Sequence, residues 1–574
     1  MARLTGTMNK PVAAITAVVM ASLLVTSACS STVPADPIAS MPAVTEVPTE
    51  EMPTPIESTS PSAAPEAFAP HAVDSTKPSK MGIKEGIQLN GKTVSSYQRP
   101  RPVDFGTGGA YSDLPGVFTF RGGPLRDDPT YGTADIVNKK FDQTPWKITT
   151  SGLRQHDGTG SWTGSGWTGQ PLIVQWPDAT RKVLQRDKSA KDKEGLTEAI
   201  YATLDGHIYF IDVDTGQQTR KPVALGFPFK GAGALDPRGI PVLYVGSGDY
   251  SPSGAPSHVF VVSLVDGKVL FEFGARDSFA PRGWSGMDSS PLVDAATDTL
   301  IYCGENGVIY TFHLNTKWDQ STGQLTMKPD ETVKYRYTTK RSGTGKYWLG
   351  IESSPVMIGH YMIATDNAGD LMCIDINTMK MIWVQDVWDD TNDTPVVEFE
   401  NGVPYIYIST SLHWTAKGSK GPMPVWKIDA TTGEIVWQHN YPCYTVSGLS
   451  GGVQGTIAIG KHQDDALIYV PVARTPTSWA GKLVALDKAT GKEVWAFPTA
   501  NYAWSSPVVV YDPAGNGYIV YSDSSGTMYL LDALTGKQLD KYAAGSNIEA
   551  SPAVYNNRLI VGTRGQRILG LNLT

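Results

Sequence analysis

A short motif that recurs along the chain constrains its fold more than any other feature. Tyr209-Phe-Ile-Asp212-Val-Asp-Thr215-Gly216, Val425-Trp-Lys-Ile-Asp429-Ala-Thr-Thr432-Gly433, Leu483-Val-Ala-Leu-Asp487-Lys-Ala-Thr490-Gly491 and Met528-Tyr-Leu-Leu-Asp532-Ala-Leu-Thr535-Gly536 each run a β-rich segment into Asp-x-x-Thr-Gly. A fifth copy, Asp375-Ile-Asn-Thr378-Met379, has lost the glycine. The copies lie roughly fifty residues apart or at multiples of that step, the period of one propeller blade. Turn chemistry explains the motif. Asp accepts a backbone N–H two residues on, and Gly takes a positive φ without a Cβ clash, so the pair closes a tight hairpin. A large ring follows four residues later, as Phe271, Trp383, Trp437 and Trp495. Such rings suit the gap between neighbouring sheets.

A second element precedes each hairpin, as Asp288-Ser-Ser-Pro291, Glu352-Ser-Ser-Pro355, Asn392-Asp-Thr-Pro395, Trp504-Ser-Ser-Pro507 and Glu549-Ala-Ser-Pro552. Each opens an inner strand, so the unit reads as four antiparallel strands. Counting inner strands predicts an all-β, eight-bladed propeller. The 58 glycines and 40 prolines supply the turns that so many short strands need. The last blade ends at Leu571-Asn-Leu-Thr574 without an outer strand, whereas Lys140-Phe-Asp-Gln-Thr-Pro-Trp146-Lys-Ile148 has the pattern of one. An N-terminal strand is therefore expected to close the ring and remove an open sheet edge.

Ahead of the repeats, Arg3 and Lys10 precede an apolar run from Pro11 to Val25, which ends in Thr26-Ser27-Ala28-Cys29. The run is short for a membrane span and is flanked like a signal peptide, expected over residues 1–28. A cysteine behind small residues resembles the bacterial lipobox, which implies acylation of Cys29; cleavage after Ala28 by the ordinary signal peptidase is the alternative. Residues 29–81, rich in Pro, Ser and Thr, read as the lipidated cysteine and a disordered tether. Residues 82–114 read as a lead-in and 115–574 as the propeller. The placement is then extracytoplasmic, with the membrane reached through the lipid. A net charge of −8 without a basic tract argues against nucleic acid as a partner. The remaining cysteines, Cys303, Cys373 and Cys443, are far apart and odd in number, and are expected as buried small hydrophobes.

The best copy, Ala485-Leu-Asp487-Lys-Ala-Thr490-Gly491-Lys-Glu-Val-Trp495, resembles the pyrroloquinoline-quinone (PQQ)-type propeller repeat, and Phe120-Arg-Gly-Gly-Pro124 resembles the lead-in of its bacterial members. The resemblance covers nearly all of 115–574. The family holds quinone-dependent dehydrogenases and also propellers without cofactor. Its enzymes use adjacent cysteines above the quinone, a tryptophan floor and a calcium held by Glu, Asn and Asp. This chain has no Cys-Cys pair.

A site on the axis is expected from the inner strands: Trp284 with Asp288, Trp348 with Glu352, Trp388 with Asn392, and Trp504 and Glu549 from later blades. Converging carboxylates suit a cation, and bordering indoles suit a sugar or a planar or cationic ligand. The competing reading is that these groups cap backbone donors where inner strands crowd. Two functions follow. The first is a non-enzymatic envelope protein that binds or scaffolds another protein or a wall glycan and needs no cofactor. The second is an oxidoreductase with PQQ and calcium on the axis.

Overall fold

Each repeat folds as one antiparallel sheet, and eight such sheets follow one another around an axis. The computed structural model describes residues 68–167, 169–342, 349–414, 419–446 and 451–574. Blade four shows the unit: Val356–Ile358, Tyr361–Thr365, Asp370–Asp375 and Lys380–Asp386, paired in that order from axis to rim. In blade eight, Ala553–Tyr555, Arg558–Thr563 and Arg567–Asn572 are completed by Trp146–Thr149, with Ile568 opposite Ile148. The ring thus closes through an N-terminal strand, as the orphaned last repeat implies.

The repeat motif sets the spacing between blades. Gly491 (φ +67°) turns the hairpin of blade six, and a Cβ there would lie 2.6 Å from the Trp437 ring of blade five. Trp437 Nε1 donates to the Lys488 carbonyl at 2.8 Å. The same bond runs from Trp383 to Ala430, from Trp495 to Ala533 and, across the closure, from Trp146 to Val213. Glycine is therefore required twice over, for the turn and for the ring stacked on it. In the degenerate copy Met379 keeps the left-handed turn at φ +53°.

The folded part begins upstream of the expected boundaries. Residues 68–81, which composition assigns to the tether, pack on the outside of the ring: the buried Thr76 accepts the Val384 N–H through its carbonyl and donates to the Thr432 carbonyl at 2.7 Å. Lys84–Leu89 then pairs with the outer strand Asp330–Thr338 of blade three, and Lys92–Val94 adds a sixth strand. Ile87 and Met81 are buried in that addition. Local composition could not reveal this, because the apolar partners are supplied by a strand over two hundred residues away. The signal segment and Cys29 lie outside the described residues. The three remaining cysteines are free and buried.

Inner strands of a propeller leave backbone groups facing the axis, and these need partners. Residues 116–131 provide them. Gly116–Val117 pairs with Leu172–Gln175 of blade one, and Thr130–Tyr131 runs parallel to Ala553–Tyr555 of blade eight. Between them, the carbonyls of Phe118, Pro124 and Leu125 accept the N–H groups of Leu235, Met357 and Val397 at 2.7, 3.0 and 3.0 Å. Two fully buried arginines cross the channel. Arg126 donates to the carbonyls of Pro355, Ser290 and Phe120 and to Thr119 Oγ1; Arg121 donates to the carbonyl of Pro507. Burial draws Arg126 down to about 9, so it stays charged at neutral pH.

Candidate functional site

The antiparallel order of a blade places the turn between its second and third strands, and the loop to the next blade, on one face. Call it the upper face; the lower face carries the other turns and the 116–131 plug. The second hydroxyl of each Ser-Ser-Pro-type motif links the blades just inside the upper mouth. Ser290 N–H donates to Ser354 Oγ, Ser354 to Thr394, Thr394 to Thr456, Thr456 to Ser506, and Ser506 to Ser551, at 2.9 to 3.3 Å. Ser551 N–H donates to the Gly169 carbonyl of blade one. These hydroxyls are structural, and each one satisfies a buried donor from the preceding blade.

The first residue of the same motif faces the axis above this girdle. Asp288, Glu352, Asn392 and Trp504 line one pocket together with Phe120, Trp167 and Gln454. Its cavity volume is about 40 Å³, room for roughly two or three waters. Glu352 accepts from Trp167 Nε1 at 3.0 Å and from Asn367 Nδ2 at 3.2 Å. Asn392 Nδ2 donates to Gln454 Oε1, and Asn392 Oδ1 is left without a partner. Asp288 is 8% exposed and neither of its carboxylate oxygens accepts a hydrogen bond. Burial pushes its carboxyl well above the usual carboxylate range, against the pull of Lys230 and with the help of Glu352, Glu305 and Asp249. A Cβ on Gly248 would lie 2.3 Å from Asp288 Oδ1 and 2.4 Å from Lys230 Cδ, so that glycine is what admits both side chains.

The other expected residues divide. Glu549 lies behind the wall residue Trp167, accepting from Asn547 Nδ2, from Arg564 and, at 3.4 Å, from the Trp167 N–H. Trp284 stands at the rim, its Nε1 bonded to Glu305. Trp388 does not reach the axis: it is 38% exposed, has φ +73° and packs edge-on against Trp426. Trp348 lies outside the described residues.

Several groups in and around the pocket lie outside what the sequence leads one to expect. Gln454 holds the first motif position in Gln454-Gly-Thr-Ile457, where the missing proline hides the match. Glu305 and Asn367 come from the turns between second and third strands of blades three and four. Asp390 accepts from Asn367 Nδ2 at 2.9 Å, and burial, with Glu352 adding repulsion, holds its carboxyl well above the usual range. Trp167 sits edge-on to Trp504 at 5.3 Å, and the Lys230 ammonium lies 4.4 Å from the Trp167 ring centre. Only a count of which loops share a face would have found these.

The family described as outer membrane protein assembly factor BamB matches residues 318–496 and 479–574. That match and the closed ring of eight blades agree with one another. This chain has a β-propeller fold whose residues 318–574 match that repeat family. No curated protein matches its sequence. A quinohemoprotein alcohol dehydrogenase from Pseudomonas putida superposes on the propeller with a TM-score of 0.52 at 12% identity, over 82% of this chain and 83% of its own. The quinohemoprotein alcohol dehydrogenase from Comamonas testosteroni gives 0.50 at 13% identity, over 80% of each chain. BamB from Moraxella catarrhalis gives 0.44 at 14% identity, over 70% of this chain and 98% of its own. At such identities what is shared is the fold.

The quinone implied by the repeat's name is a planar tricarboxylate, and the axial residues do not fit it. Asp288, Glu352, Glu305 and Asp390 would oppose its charge with Lys230 close by as the counterweight. The cavity of about 40 Å³ is small for a tricyclic ring, and Cys303, Cys373 and Cys443 are buried in separate blades. Among the described residues, no group of three or more His, Cys, Asp or Glu could hold a metal ion.

Proposed function

We propose that the propeller is an exported, lipid-anchored protein that binds or scaffolds another envelope molecule, a protein or a wall glycan, without catalysing a reaction. The observation that carries this reading is the plugged axis. Residues 116–131 occupy the space under the girdle, and what remains above it is a small acidic pocket ringed by indoles. Aromatic side chains presented on a rigid face are the usual anchors of a binding surface. Trp479, in the upper turn of blade six, is 63% exposed and belongs to no core. The family description of the matched repeats supports an envelope role. The charge and size of the pocket count against the alternative, an oxidoreductase with PQQ and calcium on the axis.

Residues 1–28 are then the signal peptide, Cys29 the acylated residue, and the segment that follows a tether whose folded end is the stretch from 68 onward. Labelling cells with a radioactive fatty acid should tag the protein, and Cys29→Ala should remove the tag and release it. Protein that begins at Cys29 without an acyl group would overturn the anchor. For the binding role, a photo-reactive amino acid placed at Trp479 should give a defined adduct in intact cells. Alcohol or sugar oxidation with an artificial electron acceptor after loading with quinone and calcium would overturn the scaffold reading.

A further inference from the structure

Among the described residues, the axial pocket holds one buried carboxylate that accepts no hydrogen bond. The carboxylates around it are hydrogen-bonded: Glu305 to Trp284 and Arg282, Asp390 to Asn367 and Ser411, Glu352 to Trp167 and Asn367. Asp288 has no such partner, although it is more than nine-tenths buried and lines the pocket. The indole N–H of Trp504, on the opposite wall, also lacks a partner. A carboxyl left so is costly unless something else completes it.

Three features define what would complete it. The cavity of about 40 Å³ suits a small head group. The acids outnumber the cations: Arg282 and Arg564 are already paired to Glu305 and Glu549, which leaves Lys230 against Asp288, Glu352 and Asp390. The walls are indole, and the chain's own Lys230 ammonium already rests 4.4 Å from the Trp167 ring centre, so these walls favour ammonium ions. A divalent ion would need several convergent oxygens, whereas an ammonium needs one carboxylate and a π face.

Resting on the binding role above, we propose that this pocket is a socket for a single primary ammonium group at the end of a flexible alkyl chain, seated on Asp288 beside the edge-on pair Trp167 and Trp504. A lysine side chain of a partner and a free alkylamine share that chemistry. The remainder of either ligand lies over the rim formed by Trp284 and Tyr250, whose rings stand 5.7 Å apart.

The test titrates the full-length protein with n-butylammonium chloride while following tryptophan fluorescence, with 1-butanol as the uncharged control. A saturable change is expected, of about millimolar affinity for so small a ligand, with no response to 1-butanol. Asp288→Asn keeps the shape of the side chain and should weaken binding by roughly tenfold or more, while its circular dichroism stays that of the parent. Trp504→Phe, which leaves Asp288 in place, should change the fluorescence amplitude and weaken binding less. Tighter binding of the peptide Gly-Gly-Lys-Gly-Gly than of n-butylammonium would assign the socket to a partner's lysine; equal affinity would assign it to free amines. An equal response to 1-butanol, unchanged affinity in Asp288→Asn, no saturation, or displacement of the amine by equimolar calcium would each overturn the proposal. If amine binding fails while the Trp479 adduct still forms, the socket falls and the scaffold stands.

Discussion

The two ends of the propeller axis bury charge in opposite ways. At the lower end, Arg126 is sealed among carbonyls from Ser290, Pro355 and Phe120, so each arm of its fork has an acceptor. At the upper end, Asp288 is buried almost as deeply and accepts nothing. The first arrangement is what a structural role looks like: a cation that ties together strand edges that would otherwise be orphaned. The second leaves free energy unrecovered, and stable folds leave few such groups. Burial of a charge is therefore a poor guide to function, and the state of its partners is a better one.

The largest effect should come from removing the lower end altogether. Deletion through Ile148 takes away the plug and the closing strand, exposing the edge of blade eight and the groups that 116–131 satisfies. No cooperative thermal transition is expected. Deletion of residues 1–67 should leave the transition in place, and deletion through Val94 should lower it measurably, since Met81 and Ile87 then leave the core of blade three. Equal melting of all three would mean that the ring closes in another way.

Arg126→Met tests the sealed charge itself. It strands several buried carbonyls, and a loss of about 3–5 kcal/mol in denaturant unfolding is expected. Arg126→Lys should not rescue it, because a point charge cannot bridge Ser290 and Pro355 as a planar fork does.

At the upper end the sign reverses. Asp288→Asn removes an unpartnered acid and should stabilise the fold by about 1–3 kcal/mol at pH 7.5. The raised folded-state carboxyl binds its proton more tightly than the unfolded chain does. Its contribution is thus most favourable below the unfolded pKa near 3.8 and is lost as pH rises through the folded one. The advantage of the Asn variant should accordingly shrink as pH falls toward 4. A gain that does not change with pH would show that Asp288 titrates normally and has a partner after all.

The smallest effect concerns the girdle between the two ends. Ser506→Ala leaves the buried Thr456 N–H without its acceptor and should cost about 1 kcal/mol. A silent Ser506→Ala would mean that these hydroxyls are not what holds neighbouring blades in register.

The sequence by itself determined the blades. Asp-x-x-Thr-Gly and the ring four residues on are local turn and packing chemistry repeated at a fixed step, so the unit, its number and the need for a closing strand are legible from residues such as Gly491, Trp495 and Trp146. Part of the site was legible for the same reason, since Asp288, Glu352, Asn392, Trp504 and Glu549 occupy one position of a repeated motif. What only the tertiary structure decided is which other chain segments meet that position. Trp167, Lys230, Glu305 and Asn367 come from loops of different blades, Gln454 from a motif copy that has lost its proline, and Trp388, spaced like its neighbours, turns outward at a positive φ. The plug is the clearest case. Phe120 to Arg126 carries the signature of a lead-in, but its job is set by carbonyls hundreds of residues away. Periodic interactions are written into local sequence, whereas a buried charge acquires its meaning only from partners that the closed ring brings to it.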